Sequence, residues 1–415
     1  MDDTTDIVID AISARGEGVG DSADGKVFVP LALPGEIWQR VDDEAYRCKV
    51  TRADRAEPPC VHFGVCGGCI AQHMPQPVYA QWKTDKVRQA FHHQAIPIEP
   101  EPLCAVDAGS RRRCVMTAIR AEGEIVLGFH RMRSHDLVAL EMCTILCPEI
   151  GQSLDGLRAL SALVLADKGS LRLTVLVADQ GLDIDVHGDH RALTPALRRD
   201  LARLVEVHGF ARLTVDGDPV VQLHQPTLTM ADVAVPVPSG VFVQATMQSE
   251  QAMVGLVCDA AASSKYVADL FCGVGTFALA LARRRAVAAL DSDREALTAL
   301  EAARDGVQGL KPIEVRGRDL MREPLSRKEL EPFDCIVFDP PRAGAQAQAK
   351  MIAKSQVPRV VAVSCNPATL ARDSRILIDG GYEIERVSAI DQFVFSAHVE
   401  CVAVFRRPRS SRRRR

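Results

Sequence analysis

The stretch YVADLFCGVGTFALALARR (266–284) decides the fold. Its first six residues form a short apolar run typical of a buried strand, and a glycine turn then leads into a helix pattern. Gly273, Gly275 and Ala278 have G-x-G-x-x-A spacing, which lets a backbone approach a ligand while the helix start offers free N–H groups. The pattern predicts a site for a dinucleotide or for S-adenosylmethionine. A glycine turn without a ligand is the alternative.

Strand and helix patterns alternate from this stretch to residue 407. The later strands are AVAALD (286–291), PIEVRG (312–317), FDCIVFD (333–339), RVVAVSC (359–365) and the closing pair YEIERVSAIDQF (382–393) and HVECVAVFRR (398–407). This alternation predicts an α/β fold with a mostly parallel sheet that binds ligands at the carboxyl ends of its strands.

Polar residues stand where three of these strands end. Asp291 ends the second strand, where an acid suits ribose hydroxyls. Asp339 opens DPPRAG, whose prolines stiffen the loop, so it could present a carboxylate to a flat base or serve only as a helix cap. Cys365 ends a further strand and is predicted to face the same crevice as a nucleophile. A buried structural thiol is the alternative for Cys365, and Cys401 is its rival.

The last strand pattern contains a histidine and a glutamate among apolar residues. Burying a charge is costly without a purpose, so we interpret Glu400 as a general base. His398 has the same strand parity and is predicted to support it from the same side. Solvated polar residues on an edge strand are the alternative.

Composition favours a cytosolic chain with a metal site. The 415 residues are 47% apolar and 25% charged, and no apolar run approaches the length of a membrane span. The acidic start lacks the features of a signal peptide, so a cytoplasmic location is the default. Thirteen cysteines in a reducing compartment point to metal binding or catalysis rather than disulfides.

Three cysteines are close together in CVHFGVCGGC (60–69). Cys60, Cys66 and Cys69 require a fourth ligand, for which Cys143 and Cys147 are the candidates. Zinc and a [4Fe–4S] cluster both accept four thiolates, so the spacing leaves both open.

The chain divides into four predicted segments. Short strands broken by glycine predict a small β-barrel at 1–56, and a central domain is expected at 57–240, with VAVPVPSG (233–240) as a joint. The α/β series fills 241–405. The tail 406–415 contains seven arginines and is either a solvated disordered end or a phosphate-binding arm. Residues 77–94 have a helical rhythm, with Val78, Trp82, Val87 and Phe91 as expected core contacts.

Taken together, these motifs resemble the RNA uridine-C5 methyltransferases, which make 5-methyluridine in 23S ribosomal RNA and tRNA. DLFCGVGTF, DPPRAG, SCNP and HVE match the family's core in order. VFVPLALPGE resembles the small RNA-binding TRAM domain, an OB-type barrel, and CVHFGVCGGCIAQH resembles the family's iron–sulfur motif. One departure is FVQAT (242–246), where the family usually has asparagine in place of Thr246.

The resemblance implies a Rossmann-like methyltransferase domain, an N-terminal barrel and a central α+β domain that carries the cluster. It implies Cys365 as nucleophile and Glu400 as base. The implied residues around S-adenosylmethionine or the target base are Gln244, Phe271, Gly273, Gly275, Thr276, Asp291, Asp319 and Asp339, and the implied [4Fe–4S] ligands are Cys60, Cys66, Cys69 and Cys143.

The implied activity is methylation of one uridine in structured RNA by a cytoplasmic monomer that needs no membrane. Ribosomal RNA (23S) is favoured over tRNA because the barrel and the long chain resemble the rRNA branches. An RNA-binding iron–sulfur protein with a silent methyltransferase core and an amino-group methyltransferase are the alternatives. The joint presence of Cys365, Glu400 and Gln244 argues against a silent core, and an amino-group methyltransferase needs no thiol.

Overall fold

The computed structural model describes residues 6–22, 25–41 and 45–408. The predicted phosphate-binding or disordered tail therefore lies almost entirely outside the described residues. Within those ranges, no helix is both long and apolar enough to cross a membrane.

The first 50 residues contain a five-stranded antiparallel sheet. Its strand order is β3-β2-β1-β4-β5. The strands are β1 (Asp6–Ile12), β2 (Gly18–Ser22), β3 (Gly25–Val29), β4 (Ile37–Arg40) and β5 (Tyr46–Val50). The buried Glu36 carboxylate ties this sheet to the following loop, because it accepts hydrogen bonds from Leu33 N–H (2.9 Å) and the Arg55 guanidinium (2.8 Å).

A long helix and a second sheet follow the cysteine-rich stretch. The sheet has the order β12-β11-β10-β9-β6-β7-β8, in which only β10 and β11 are parallel among the pairs described. The elements are α1 (Gln76–His92), β6 (Arg113–Ala121), β7 (Glu124–His130), β8 (Leu137–Ala139), α2 (Pro148–Gln152), α3 (Leu154–Val164), β9 (Ser170–Ala178), β10 (Gly181–Gly188), α4 (Pro195–His208), β11 (Arg212–Val215) and β12 (Asp218–Gln222).

A short hairpin stands where the sequence predicted a domain joint. Its strands β13 (Thr227–Met230) and β14 (Val233–Pro236) pair antiparallel. Pro236 is the last residue of its strand, where the missing N–H of a proline is tolerated, so the two prolines end the strand rather than prevent it.

The third sheet confirms the predicted α/β class. Its order is β17-β16-β15-β18-β19-β21-β20; the first five strands are parallel, and β21 is antiparallel to both of its neighbours. The elements are α5 (Met247–Ala260), β15 (Tyr266–Leu270), α6 (Thr276–Ala282), β16 (Ala286–Asp291), α7 (Arg294–Asp305), β17 (Ile313–Gly317), α8 (Arg327–Leu330), β18 (Cys335–Phe338), α9 (Gln346–Ala353), β19 (Arg359–Ser364), α10 (Pro367–Asp379), β20 (Glu383–Ile390) and β21 (Glu400–Arg406).

The strand order reverses direction at the centre of this sheet. The chain runs outward from β15 through β16 to β17 and then returns to β18 on the other side of β15. Open parallel sheets bind their ligands in the crevice at such a switch point. The residues that follow the carboxyl ends of β15 and β18 therefore face the expected site.

Helix α1 packs on this third sheet. Val87 and Phe91 are fully buried against Leu270, Leu370 and neighbouring side chains, and α1 lies beside α10. Trp82, Val87 and Phe91 are buried as predicted, whereas Val78 is only partly buried and Tyr79 takes the buried position. The reason is that the packed face of the helix is rotated toward Tyr79, whose hydroxyl has polar partners beneath it.

Candidate active site

The glycine turn after β15 has a backbone shaped for close approach. Phe271, Gly273 and Gly275 have φ of 62°, 53° and 97°, and α6 begins at Thr276 directly after them. The space beside Gly273 is open, since a Cβ there would meet no heavy atom within 4 Å. At Gly275 a Cβ would lie 2.4 Å from Leu300 Cδ1 and the φ is left-handed, so glycine is needed there for both conformation and space.

Two acids stand at the ends of the next strands. Asp291 ends β16, and its carboxylate accepts hydrogen bonds from Gly273 N–H (2.8 Å) and Asp293 N–H (3.0 Å). Asp319 follows β17, where it is partly exposed and accepts from the N–H groups of Met321 (3.0 Å) and Arg322 (3.2 Å). Asp291 thus braces the glycine turn itself, while Asp319 shapes the loop beside it.

Asp339 follows β18 and is joined to Gln244. The Gln244 side-chain NH₂ group donates to Asp339 Oδ2 over 3.0 Å, while the side-chain oxygen Oε1 of Gln244 has no partner within the described part of the chain. The backbone of Gln244 is held by Arg112, which donates to its carbonyl (3.2 Å) and pairs with the buried Glu250 (2.5 Å). Burial raises the pKa of Asp339 to about 7, and the bond from Gln244 opposes this rise.

Cys365 stands between the end of β19 and the start of α10. Asn366 caps this helix by accepting from Ala368 N–H (3.1 Å), and its amide donates to the carbonyl of Arg342 in the DPPRAG loop (3.1 Å). The thiol is therefore fixed at a helix N-terminus beside that loop. Burial, followed by the nearby Glu400 and Asp339 carboxyls, raises the pKa of Cys365 to about 11, and Arg342 acts in the opposite direction.

Glu400 is the first residue of β21 and is 2% exposed. Its Oε2 accepts from Gln392 Nε2 over 2.8 Å, and its Oε1 has no partner among the residues described. The side-chain oxygen Oε1 of Gln392 accepts in turn from Ser249 Oγ (2.8 Å) and Ala245 N–H (3.2 Å). Burial and the Asp339 charge raise the pKa of Glu400 well above its ordinary value.

The strand register brings Cys365 and Glu400 together. β19 and β21 pair antiparallel with Ser364 opposite Cys401, so the next position along each strand holds Cys365 and Glu400. Cys401 itself is fully buried in the apolar core on the other face of the strand. The rival thiol therefore does not open onto the crevice.

The prediction for His398 is wrong in its geometry. β21 begins only at Glu400, so the alternation of side chains along a strand does not apply at residue 398. The imidazole is exposed and lies 2.7 Å from the Arg342 guanidinium instead of beside Glu400.

Three polar residues of this region were not singled out from the sequence. Arg342, Gln392 and the fully buried Asp269 all contact or face the site residues. The acid inside the apolar run YVADLF was the available signal for Asp269. For Gln392, the signal was a polar pair, Asp391 and Gln392, directly after an apolar strand pattern.

A second cavity is lined by four thiols. Cys60, Cys66, Cys69 and Cys143 share it with Phe63, Phe129, Leu140 and other mostly apolar neighbours. Burial raises the pKa of Cys69 to about 12. Cys147 lies outside this lining, at the N-terminus of α2.

The donor set of this cavity has the chemistry of a metal–thiolate site. Gly68 N–H donates to Cys66 Sγ over 3.5 Å, a bond that favours a charged sulfur. Among the residues described, however, no three His, Cys, Asp or Glu side chains converge closely enough to hold a single metal ion.

Comparison with known proteins places these features in a family. The family model described as tRNA (Uracil-5-)-methyltransferase matches residues 212–408. An uncharacterized RNA methyltransferase of Brucella suis is 44% identical across 98% of this chain and 99% of that protein. The 23S rRNA (uracil(1939)-C(5))-methyltransferase RlmD of Alkalilimnicola ehrlichii is 32% identical across 97% of this chain and 96% of that protein.

A solved structure shares the fold across nearly the whole chain. The Pyrococcus abyssi tRNA (uracil-54, C5)-methyltransferase, in complex with S-adenosyl-L-homocysteine, superposes with a TM-score of 0.73. It covers 97% of this chain and 100% of its own at 20% identity, so the similarity speaks for the fold.

The raised pKa of Asp339 predicts a pH-dependent stability. Between about pH 4 and pH 7 the unfolded chain loses the Asp339 proton while the folded protein keeps it, so stability is lost as the pH rises toward 7. Relative to Asp339→Asn, the free energy of unfolding of the wild type should fall by at most about 1.4 kcal/mol per pH unit over this interval. Urea titrations of both proteins at several pH values would measure this difference in the free energy of unfolding. The same pH dependence for the wild type and for Asp339→Asn would contradict the prediction.

Proposed function

The chain belongs to the S-adenosylmethionine-dependent RNA uracil-C5 methyltransferase family, and on this premise we propose that it methylates C5 of one uridine in 23S rRNA through a covalent adduct on Cys365. The family membership rests on the RlmD relative, which is named for a 23S rRNA substrate and which this chain matches over almost its full length. Methylation of tRNA is the second candidate, because the matching family model is named for that substrate.

Uracil C5 is a poor nucleophile, so the proposed mechanism has to activate it before methyl transfer. The Cys365 thiolate adds to C6 and forms an S–C6 bond, which moves the electron pair of the C5=C6 bond onto C5. The electron pair on C5 would then form the bond to the methyl group that S-adenosylmethionine, held at the glycine turn, would supply from its sulfonium as the sulfur–methyl bond breaks. Glu400 then takes the C5 proton, the C5=C6 bond re-forms, and the S–C6 bond breaks to return the thiolate.

The observation that carries this proposal is the register of β19 and β21. Cys365 acts on C6 and Glu400 on the adjacent carbon, so the proposed mechanism requires the two residues at neighbouring positions. The pairing of Ser364 with Cys401 supports this, because Cys365 and Glu400 are the next residues in register. The free Glu400 Oε1 is available to a substrate proton. A raised carboxyl pKa also makes Glu400 a stronger base than an exposed carboxylate.

The residues around the glycine turn fit a nucleoside-bearing methyl donor. We assign Phe271, Gly273, Gly275 and Thr276 to the turn that receives it, because the helix start and the open space beside Gly273 suit close backbone approach. Asp291 and Asp319 would accept from hydroxyl or amino groups, since a carboxylate oxygen bonded to one N–H can accept again. Gln244 and Asp339 offer one unpartnered amide oxygen and one shared carboxylate next to the nucleophile.

The cysteine cavity extends the proposal to a [4Fe–4S] cluster. Cys60, Cys66, Cys69 and Cys143 are the ligands we assign, supported by their common cavity and its apolar lining. These four thiolates would hold a [4Fe–4S] cluster, although a zinc ion would accept the same donor set. We expect the cluster to hold the fold and shape the RNA surface.

The proposal also assigns a role to each of the three main segments of the chain. We propose residues 1–56 as a TRAM-like RNA-binding unit, 57–240 as the cluster-bearing central domain and 241–405 as the methyltransferase domain. The target uridine has to leave its stack to reach Cys365, which suits a loop or a flipped base in structured RNA.

Replacing Cys365 with alanine should reduce methylation below roughly 0.1% of the wild-type rate, because the variant loses the thiolate that we propose adds to C6. S-Adenosylmethionine binding, measured by calorimetry, should stay within about threefold of wild type. Cys401→Ala is the matched control, since that thiol faces the core, and it should keep its activity. An active Cys365→Ala protein would remove the nucleophile assignment.

Replacing Glu400 with glutamine should trap the methylated adduct, because the C5 proton is no longer removed. A denaturing gel of enzyme incubated with S-adenosylmethionine and a 23S rRNA transcript should then contain a retarded protein–RNA band. The double variant Cys365→Ala, Glu400→Gln should give no such band. A Glu400→Gln protein that releases methylated RNA at the wild-type rate would exclude Glu400 as the base.

Anaerobically purified protein should contain about four irons per chain. Cys143→Ser should lower that iron content strongly because a ligand is lost, whereas Cys147→Ser should keep it. Iron, sulfide and zinc analysis checks both variants. If Cys147→Ser instead loses iron while Cys143→Ser keeps it, the fourth ligand is Cys147. Stoichiometric zinc in place of iron would reject the cluster.

A further inference from the structure

The general base is preceded by an irregular segment that needs external support. Residues 391–399, here called the base loop, connect β20 to β21 and end immediately before Glu400. Phe395 within it has a left-handed φ of 58°. No regular element runs through these nine positions, so the path of the loop depends on side-chain contacts from elsewhere in addition to a few backbone hydrogen bonds.

Two residues of α1 supply those contacts. Tyr79 Oη donates to the Asp391 carboxylate (2.7 Å) and accepts from Phe395 N–H (2.8 Å). Lys83 Nζ pairs with Asp391 (2.8 Å) and donates to the carbonyls of Phe393 (3.0 Å) and His398. An ammonium group has three donors, and all three are directed to the base loop.

These polar groups are buried deeply enough to restrict the loop. Lys83 is 0% exposed, and Tyr79 and Asp391 are 2% exposed. Burying an ion pair is weak evidence for stability, since apolar residues of similar volume would pack as well. A fully satisfied polar network does, however, fix one arrangement of its members.

The network continues to the catalytic carboxylate. Asp391 is followed directly by Gln392, whose side-chain amide donates to Glu400 Oε2 over 2.8 Å. The cysteine stretch adds to the same loop, because the N–H groups of Ile70 and Ala71 both donate to the carbonyl of Phe395 (2.8 and 3.2 Å). The base is thus held through a chain that begins on α1.

We infer that Tyr79 and Lys83 are positioning residues for the proton-removal step: they fix Asp391 and the base loop so that Gln392 holds the Glu400 carboxylate toward the C5 proton. This inference rests on the proposed function. Both residues act on the base through Asp391 and the backbone of the base loop, and not through contact with the uracil. Their loss should therefore slow proton removal while leaving the attack of Cys365 and the methyl transfer intact.

Tyr79→Phe tests this with minimal change of shape. In single-turnover reactions with a 23S rRNA transcript and radiolabelled S-adenosylmethionine, release of methylated RNA should slow by roughly tenfold or more, because a small displacement of the base is enough. The fraction of RNA held as methylated covalent adduct should rise correspondingly. Formation of that adduct should stay within about twofold of wild type.

Two further variants keep the test decisive. Lys83→Met preserves the apolar stem of the lysine, removes its three donors and should shift the balance between adduct and product in the same direction. Tyr382→Phe is the matched control, because Tyr382 is equally buried and donates to the Val357 carbonyl (2.8 Å) but does not contact the base loop. It should leave both steps unchanged.

The outcomes separate this inference from the proposed function. If Glu400→Gln accumulates adduct but Tyr79→Phe and Lys83→Met do not, the positioning role is wrong while the proposed function stands. Equal slowing of adduct formation and product release would also overturn it, because that is the signature of a general loss of folding. If Glu400→Gln forms no adduct, the proposed function fails, and this inference fails with it.

Discussion

The antiparallel pairing of β21 with β19 is the constraint on which the active site depends. In a parallel sheet all carboxyl ends meet at one edge, so successive strands can deliver only the residues that follow them. A base from the amino end of a strand reaches that edge only if its strand runs the other way. β21 does so, and its first residue, Glu400, thereby comes next to Cys365 at the end of β19.

This arrangement brings several carboxyl groups together in a buried region that excludes most water. The Asp339 carboxylate lies close enough to raise the pKa of both Asp269 and Glu400, and burial is the larger cause for each of them. The Gln244 and Glu400 side chains also hold oxygen atoms that lack a partner among the described residues. Native proteins satisfy almost all buried polar atoms, so such a concentration is typical of a site that substrate and cofactor complete.

Much of this site was predictable because short sequence patterns determine where its residues lie. The glycine turn and the strand ends at Asp291, Asp339 and Cys365 follow from short patterns plus the rule that ligands bind at the carboxyl edge. The start of β21 was not predictable, since polar and apolar residues already alternate from Ser396 to Val399 as they would in a strand, and His398 was placed wrongly for that reason. The choice between Cys143 and Cys147 required the family resemblance, because either spacing could supply a fourth thiolate.

The contacts that the sequence could not indicate join distant parts of the chain. Tyr79 and Asp391 are separated by 312 residues, and a helix pattern does not specify which sheet the helix will cover. Periodicity predicted the buried face of α1 to within one residue, but its partner was set by the apolar surface of the third sheet and by the carboxylate beneath it. Long-range burial of this kind has no local signal.

The packing of α1 means that the residues that support the candidate site are not continuous in the sequence. A fragment that begins at residue 241 would retain the glycine turn, Cys365 and Glu400, yet it would expose the apolar face that Val87 and Phe91 cover and leave Asp391 without its cation. The family model likewise begins at residue 212, after this helix. An exchange of the segments before residue 241 would therefore have to preserve residues 76–92, which carry the contacts to the third sheet and to Asp391.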